Sequence, residues 1–150
     1  MAEESAFTSA CQQTALRLIA RAEQCSAGLR RKLEKRGFEP ECINTVIEHL
    51  CTLNLIDDNR FAQLWLESKM RLARSPRRLL IALNSRGIDR DDAETAIKNV
   101  LDEETEYALL LRFVKKQTRK KNTSEDAKRS LKYLLKNEGF SHSVTQRYFD

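Results

Sequence analysis

The feature that most constrains this chain is a short pattern that occurs three times: a leucine, a second leucine four residues on, and a glycine four residues after that with an apolar residue behind it. It reads Leu29, Leu33, Gly37-Phe38, then Leu79, Leu83, Gly87-Ile88, then Leu131, Leu135, Gly139-Phe140. Leucines four apart share one face of a helix. A glycine just past the last turn takes the left-handed conformation cheaply, and the apolar residue after it folds back onto the second leucine. An apolar pair follows nine and ten residues beyond each glycine, as Val46-Ile47, Ala96-Ile97 and Tyr148-Phe149. The glycines are 50 and 52 residues apart, a period typical of stacked helical units. The expected fold is therefore all-α: an elongated array of three tandem three-helix, helix-turn-helix-like repeats with nine main helices and no sheet. The expected boundaries are a flexible N-terminus over 1–12 and repeats over 13–56, 57–101 and 102–150.

The middle repeat shows the unit most completely. Asp57 and Asp58 precede Phe61 and Ala62, where side-chain oxygens cap a helix start and negative charge meets its positive dipole end. Phe61, Trp65 and Leu72 are expected along one buried face of that helix. Ser75-Pro76 is a second start signal, since serine caps and proline at the first helical position gives up only an unpaired N–H. Gly87 ends that helix, and Ala93, Ala96, Ile97 and Val100 have the spacing of a one-sided amphipathic third helix. The first helices align more loosely, as Thr14-Ala15-Leu16, Phe61-Ala62-Gln63 and Tyr107-Ala108-Leu109.

These residues resemble the RecX family of RecA regulators. The likeness is carried by Leu55-Ile56-Asp57-Asp58-Asn59-Arg60-Phe61-Ala62, by Ser75-Pro76-Arg77-Arg78-Leu79 and by Arg86-Gly87-Ile88, and it extends from about Ala15 to Phe149. The family usually has glycine where this chain has Ser75, which still caps but lacks the tighter turn that glycine permits. The resemblance implies a protein that lodges in the groove of the RecA–DNA filament and limits ATP hydrolysis and strand exchange, affecting recombination, DNA repair and the SOS response. It implies no chemistry of its own and no cofactor.

The rest of the chain is consistent with a binding protein. It has no apolar run long enough to span a membrane and no basic-then-apolar start, so a cytoplasmic, monomeric protein is expected. Cys11, Cys25, Cys42 and Cys51 show no metal-site spacing and read as small buried hydrophobes. A zinc alternative would have to use Cys42, His49 and Cys51, and lacks a fourth ligand. Helix 1 is expected near Thr14 to Glu23, burying Ala15, Ile19 and Ala22. Helix 3 is expected from about Pro40, burying Ile43, Val46, Ile47 and Leu50. Helix 7 should bury Tyr107, Leu110, Leu111 and Val114, helix 8 Ala127, Leu131, Leu134 and Leu135, and helix 9 Val144, Tyr148 and Phe149. Lys115 to Ser124 reads as a mobile connection.

With two histidines, His49 and His142, and no phosphate-cradling loop or nucleophile motif, no catalytic constellation emerges. Charge is the informative feature. Lys and Arg against Asp and Glu number 7 to 8 over residues 1–57, 9 to 6 over 58–101 and 11 to 8 over 102–150, within a net charge of +5. The cations recur near the first-to-second helix junctions. They are Arg30, Arg31 and Lys32, then Lys69, Arg71, Arg74, Arg77 and Arg78, then Lys115, Lys116, Arg119, Lys120, Lys121, Lys128 and Arg129. Stacked with a constant rotation, these corners would line one side of the array and track a polyanion or an acidic protein groove. A solvated surface is the plain alternative. A free-standing nucleic-acid-binding protein, binding single- or double-stranded DNA weakly without RecA, is the functional one. Helix-turn-helix reading of duplex DNA fits less well, because Glu41, Glu48, Asp91, Asp92 and Glu94 would meet phosphates. Phe61, Trp65 and Tyr107 read as core residues before stacking platforms.

Overall fold

A computed structural model describes residues 2–117 and 124–150. Among them lie nine helices and no strand: α1 (Ala2–Arg21), α2 (Ser26–Lys35), α3 (Pro40–Thr52), α4 (Asp58–Lys69), α5 (Pro76–Ser85), α6 (Arg90–Val100), α7 (Glu103–Gln117), α8 (Glu125–Glu138) and α9 (His142–Phe149). They form three consecutive trios, and in each the first helix packs on the third, α1 on α3, α4 on α6 and α7 on α9.

The paired leucines anchor the units. Leu29, Leu33, Leu79, Leu83 and Leu135 are all fully buried, each contributing about 1.5–3 kcal/mol relative to an exposed side chain. The first trio encloses its own core of Cys11, Ala15, Leu29, Leu33, Ile43, Val46, Ile47, Leu50 and Ile56. The second and third share one continuous core, in which Ala62, Leu66, Leu79 and Leu83 meet Leu109, Leu110, Phe113, Leu135, Phe140 and Val144. Cys25 belongs to that second core although it precedes α2.

Each second helix closes as its glycine demands. Gly37, Gly87 and Gly139 have φ of 84°, 89° and 107°. The amides of Phe38, Ile88 and Phe140 donate back to the carbonyls of Leu33, Leu83 and Leu135 at 3.3, 3.1 and 3.2 Å, satisfying carbonyls that the helix end leaves free. The third helix of the first trio ends in the same way on Asn54, at φ 58°, a residue that tolerates the left-handed conformation.

Several sequence expectations are corrected. Helix α1 begins at Ala2, not near Thr14, so the polar start is helical and buries Cys11, while Ala22 lies past the helix end and is exposed. Helix α4 ends at Lys69, which carries Leu72 off the helical stripe and leaves it exposed. Ala62 and Leu66 are the residues buried in α4, with Phe61 and Trp65 half-buried against the same core. On α7 the buried stripe is Leu109, Leu110, Phe113 and Val114, and Leu111 is exposed. Two overlapping apolar stripes exist on that helix, and Phe140 selects between them by packing its ring 5.5 Å from that of Phe113. On α8 only Leu135 is fully buried; Leu134 and Tyr133 are exposed. Cys51 is exposed and Cys42 half-buried, unlike the buried Cys11 and Cys25.

Candidate basic interface at the seams between units

The seams between trios are built from helix caps, and both use the same parts. Cys25 caps α2 by accepting from the Gly28 amide at 3.4 Å, and its thiol donates to the carbonyl of Arg86, at the end of α5, at 3.6 Å. Fifty residues on, Ser75 caps α5 by accepting from the Arg78 amide at 3.2 Å and donates to the carbonyl of Glu138, at the end of α8, at 2.7 Å. Two residues after each cap, Ala27 and Arg77 lie over the glycine of the next unit, so that a Cβ at Gly87 or at Gly139 would fall 2.3 Å from theirs. Gly37 has open space around it. Thus two of the three glycines are required both by φ and by the approach of a neighbouring helix.

The acidic stretch before Phe61 also reaches across a seam. Asp57 caps α4 by accepting from the Arg60 amide at 3.1 Å. Asp58 accepts from the Ser26 amide at 2.8 Å and the Ser26 hydroxyl at 2.6 Å, which caps α2 of the preceding unit. The guanidinium of Arg60 pairs with Glu23 at 2.7 Å and donates to the carbonyl of Asn54 at 3.1 Å, closing the α3–α4 connection.

The candidate cations divide between these seams and solvent. Arg30 donates to Asn44 on α3, Arg31 to the Arg86 carbonyl at 3.1 Å, and Lys32 to Gln24 at 2.8 Å. They lie within α2 instead of at a first-to-second helix junction. With Lys35 and Arg86, which the sequence reading did not include, Arg31 and Lys32 line an open pocket of about 370 Å³ at the first seam. Lys69 stands 5.6 Å from the centre of the Trp65 ring, and Arg86 stands 5.3 Å from it, a cation on an aromatic face. Arg77 donates to the carbonyl of Asn137 at 2.9 Å, and Arg78 pairs with Glu138 at 2.9 Å. Both arginines thus hold the C-terminal end of α8 across the second seam.

Arg71 and Arg74 are exposed in the α4–α5 connection, and Lys115 and Lys116 are exposed in the last turns of α7. Arg112, three and four residues before those lysines, donates to the carbonyl of Met70. That bond ties α7 to the start of the α4–α5 connection, the segment that carries Arg71 and Arg74. Lys128 pairs with Glu125 at 3.2 Å, and Arg129 is exposed on α8. Arg119, Lys120 and Lys121 lie outside the described residues. Lys132 and Lys136 follow Arg129 at i+3 and i+7, a helical spacing visible in the sequence but not used there.

Among the described residues no three of His, Cys, Asp and Glu converge as a metal site would require. No helix among them is long and apolar enough to cross a membrane. Burial, and then the neighbouring Cys42, push the Cys11 thiol up, which keeps it protonated and unreactive near neutral pH.

Fold and surface together define a small helical-repeat protein whose units are joined through their helix caps, with cations both at the joints and on the exposed surface. Comparison with known proteins names it more closely. Residues 11–50 match the first three-helix domain of RecX and residues 57–97 the second. The chain is 34% identical over 134 residues to the regulatory protein RecX of Treponema pallidum, covering 89% of this chain and 79% of that protein. It is 31% identical over 144 residues to the regulatory protein RecX of Halorhodospira halophila, covering 94% and 87%. The crystal structure of RecX from Lactobacillus salivarius superposes with a TM-score of 0.81 at 19% identity, covering 98% of this chain and 95% of that one. The chain belongs to the RecX family of regulatory proteins.

Proposed function

We propose that the chain regulates the RecA recombinase as a cytoplasmic monomer, by lying in the groove of the RecA–DNA filament and limiting ATP hydrolysis and strand exchange. Recombination, DNA repair and the SOS response would be affected through that contact. Family membership supports the reading, and one structural observation carries it to residues. Arg71, Arg74, Lys115 and Lys116 are exposed cations on the two segments that the Arg112–Met70 bond joins, and their side chains make no hydrogen bond or ion pair with the described residues. Such cations gain nothing from contacts within the fold, whereas an acidic or phosphate-bearing partner would pair with them. On this reading the effect on ATP hydrolysis is exerted by occupancy of the groove.

The test adds the purified chain to RecA assembled on single-stranded DNA and follows ATP hydrolysis. A progressive, saturable fall in rate is expected, and an unchanged rate at saturating protein would overturn the reading. The free-standing alternative is separated by a salt titration on DNA with and without RecA. Binding that RecA does not strengthen would favour that alternative.

A further inference from the structure

The outer face of α8 carries an arrangement that the RecA reading does not use. Arg129, Lys132, Tyr133 and Lys136 recur at i, i+3, i+4 and i+7, and so share one face. Tyr133 is 69% exposed, and its ring adds little to the core. Beside it α8 and α9 border an open pocket of about 400 Å³, lined by these four residues with Phe140 and Thr145 among the others. Phe140 and Thr145 are each 5% exposed, so they form its floor. The Thr145 hydroxyl is buried and has no hydrogen-bond partner among the described residues. A buried polar group left unpaired destabilises a fold, and this one belongs to a residue that lines the pocket. None of the described residues that line the pocket is acidic.

The chemical complement of an exposed ring, three cations and an unsatisfied hydroxyl is a flat aromatic group with hydrogen-bonding edges, joined to phosphate. We propose that this pocket binds single-stranded nucleic acid, with a base stacked on Tyr133, its edge or sugar bonded to Thr145, and neighbouring phosphates on Arg129, Lys132 and Lys136. From Arg129 to Lys136 the helix rises by seven steps, roughly 10 Å of axis, which suits successive phosphates of a strand better than one mononucleotide. Duplex DNA is disfavoured because its bases are stacked internally and offer no free face. An acidic peptide would satisfy the cations but leave the ring and the hydroxyl unused. The site needs no recombinase, and so stands or falls separately from the RecA reading.

The test is fluorescence anisotropy of a labelled oligothymidylate of about a dozen nucleotides, within the usual range of single-strand site sizes. It uses the full chain, with Tyr133→Ala, Tyr133→Phe and Thr145→Val. An abasic oligomer of equal length, free thymidine monophosphate and polyglutamate serve as competitors. Tyr133→Ala is expected to weaken binding about tenfold, Tyr133→Phe to retain most of it, and the abasic oligomer and the mononucleotide to compete poorly. Thr145→Val carries the most specific signature, since removing the unpaired hydroxyl should raise the melting midpoint while weakening the oligonucleotide complex. Wild-type affinity in Tyr133→Ala, equal competition by the abasic oligomer, or stronger competition by polyglutamate or by the mononucleotide would overturn the site. A chain that slows RecA ATP hydrolysis but shows no affinity for the oligonucleotide would overturn this site alone. A chain that binds the oligonucleotide as described but leaves RecA unaffected would sustain it and remove the RecA reading.

Discussion

The hydroxyl of Ser75 donates to the backbone carbonyl of Glu138 at 2.7 Å while accepting from an amide of its own helix. One fully buried side chain thus starts α5 and holds the end of α8. Ser75→Ala should cost roughly 1–3 kcal/mol in denaturant unfolding, since it removes a cap and takes away the hydroxyl partner of the Glu138 carbonyl. Ser75→Gly separates the two roles, because glycine at an N-cap costs only a few tenths of a kcal/mol. A loss well above that measures the seam, and no loss beyond it would show that the Glu138 bond contributes nothing.

The three glycines should not be equivalent. Gly37→Ala meets open space and should cost only the left-handed backbone penalty, about 1–2 kcal/mol. Gly87→Ala and Gly139→Ala add an approach of 2.3 Å to Ala27 and to Arg77, and each should cost about 1–3 kcal/mol more. Equal losses at all three positions in thermal unfolding would mean that the seams yield freely.

Trp65 is half-buried, and its indole N–H is buried with no hydrogen-bond partner among the described residues. Trp65→Ala should therefore cost about 2–4 kcal/mol, toward or below the lower end for a core tryptophan. Trp65→Phe should cost much less, because it removes an unpaired donor along with some apolar area. A phenylalanine variant as unstable as the alanine one would indicate a partner for that N–H.

Asp102 gives α7 a pH-sensitive start. The Thr105 side chain and the Thr105 amide, the latter at 2.7 Å, bond its carboxylate and hold it below the usual range for aspartate. A carboxyl whose folded value is depressed contributes stability above its unfolded value, and loses it as pH falls through the folded one. Acid unfolding of Asp102→Asn, which keeps a cap but cannot titrate, should accordingly be less steep over that low-pH window. An unchanged acid transition would remove Asp102 from the account.

The readable part of this fold was its punctuation. Leu83, Gly87 and Ile88 are local in sequence, and their geometry follows from backbone sterics alone. What was not readable depended on partners far along the chain. The choice of Phe113 over Leu111 as a core residue is made by Phe140. The intramolecular duties of Arg77 and Arg78 depend on where α8 ends, and no charge count reveals that. Arg112, which ties α7 to the α4–α5 connection, was invisible because its acceptor is the backbone of Met70. Tyr133 was legible in principle from its spacing with Arg129 and Lys136, but its exposure could be judged only once the core of α8 was known to be narrow.

The most direct measurement of the central claim is a titration of RecA ATP hydrolysis on single-stranded DNA with the wild-type chain and with Arg71→Ala/Arg74→Ala. Both side chains are exposed and outside the seams, so circular dichroism should report wild-type helicity and melting for the variant. Each lost charge contact is worth on the order of 1 kcal/mol, so at least about tenfold more variant should be needed for half-inhibition. A folded variant that inhibits at the wild-type concentration would contradict the account, and would return these arginines to solvated surface.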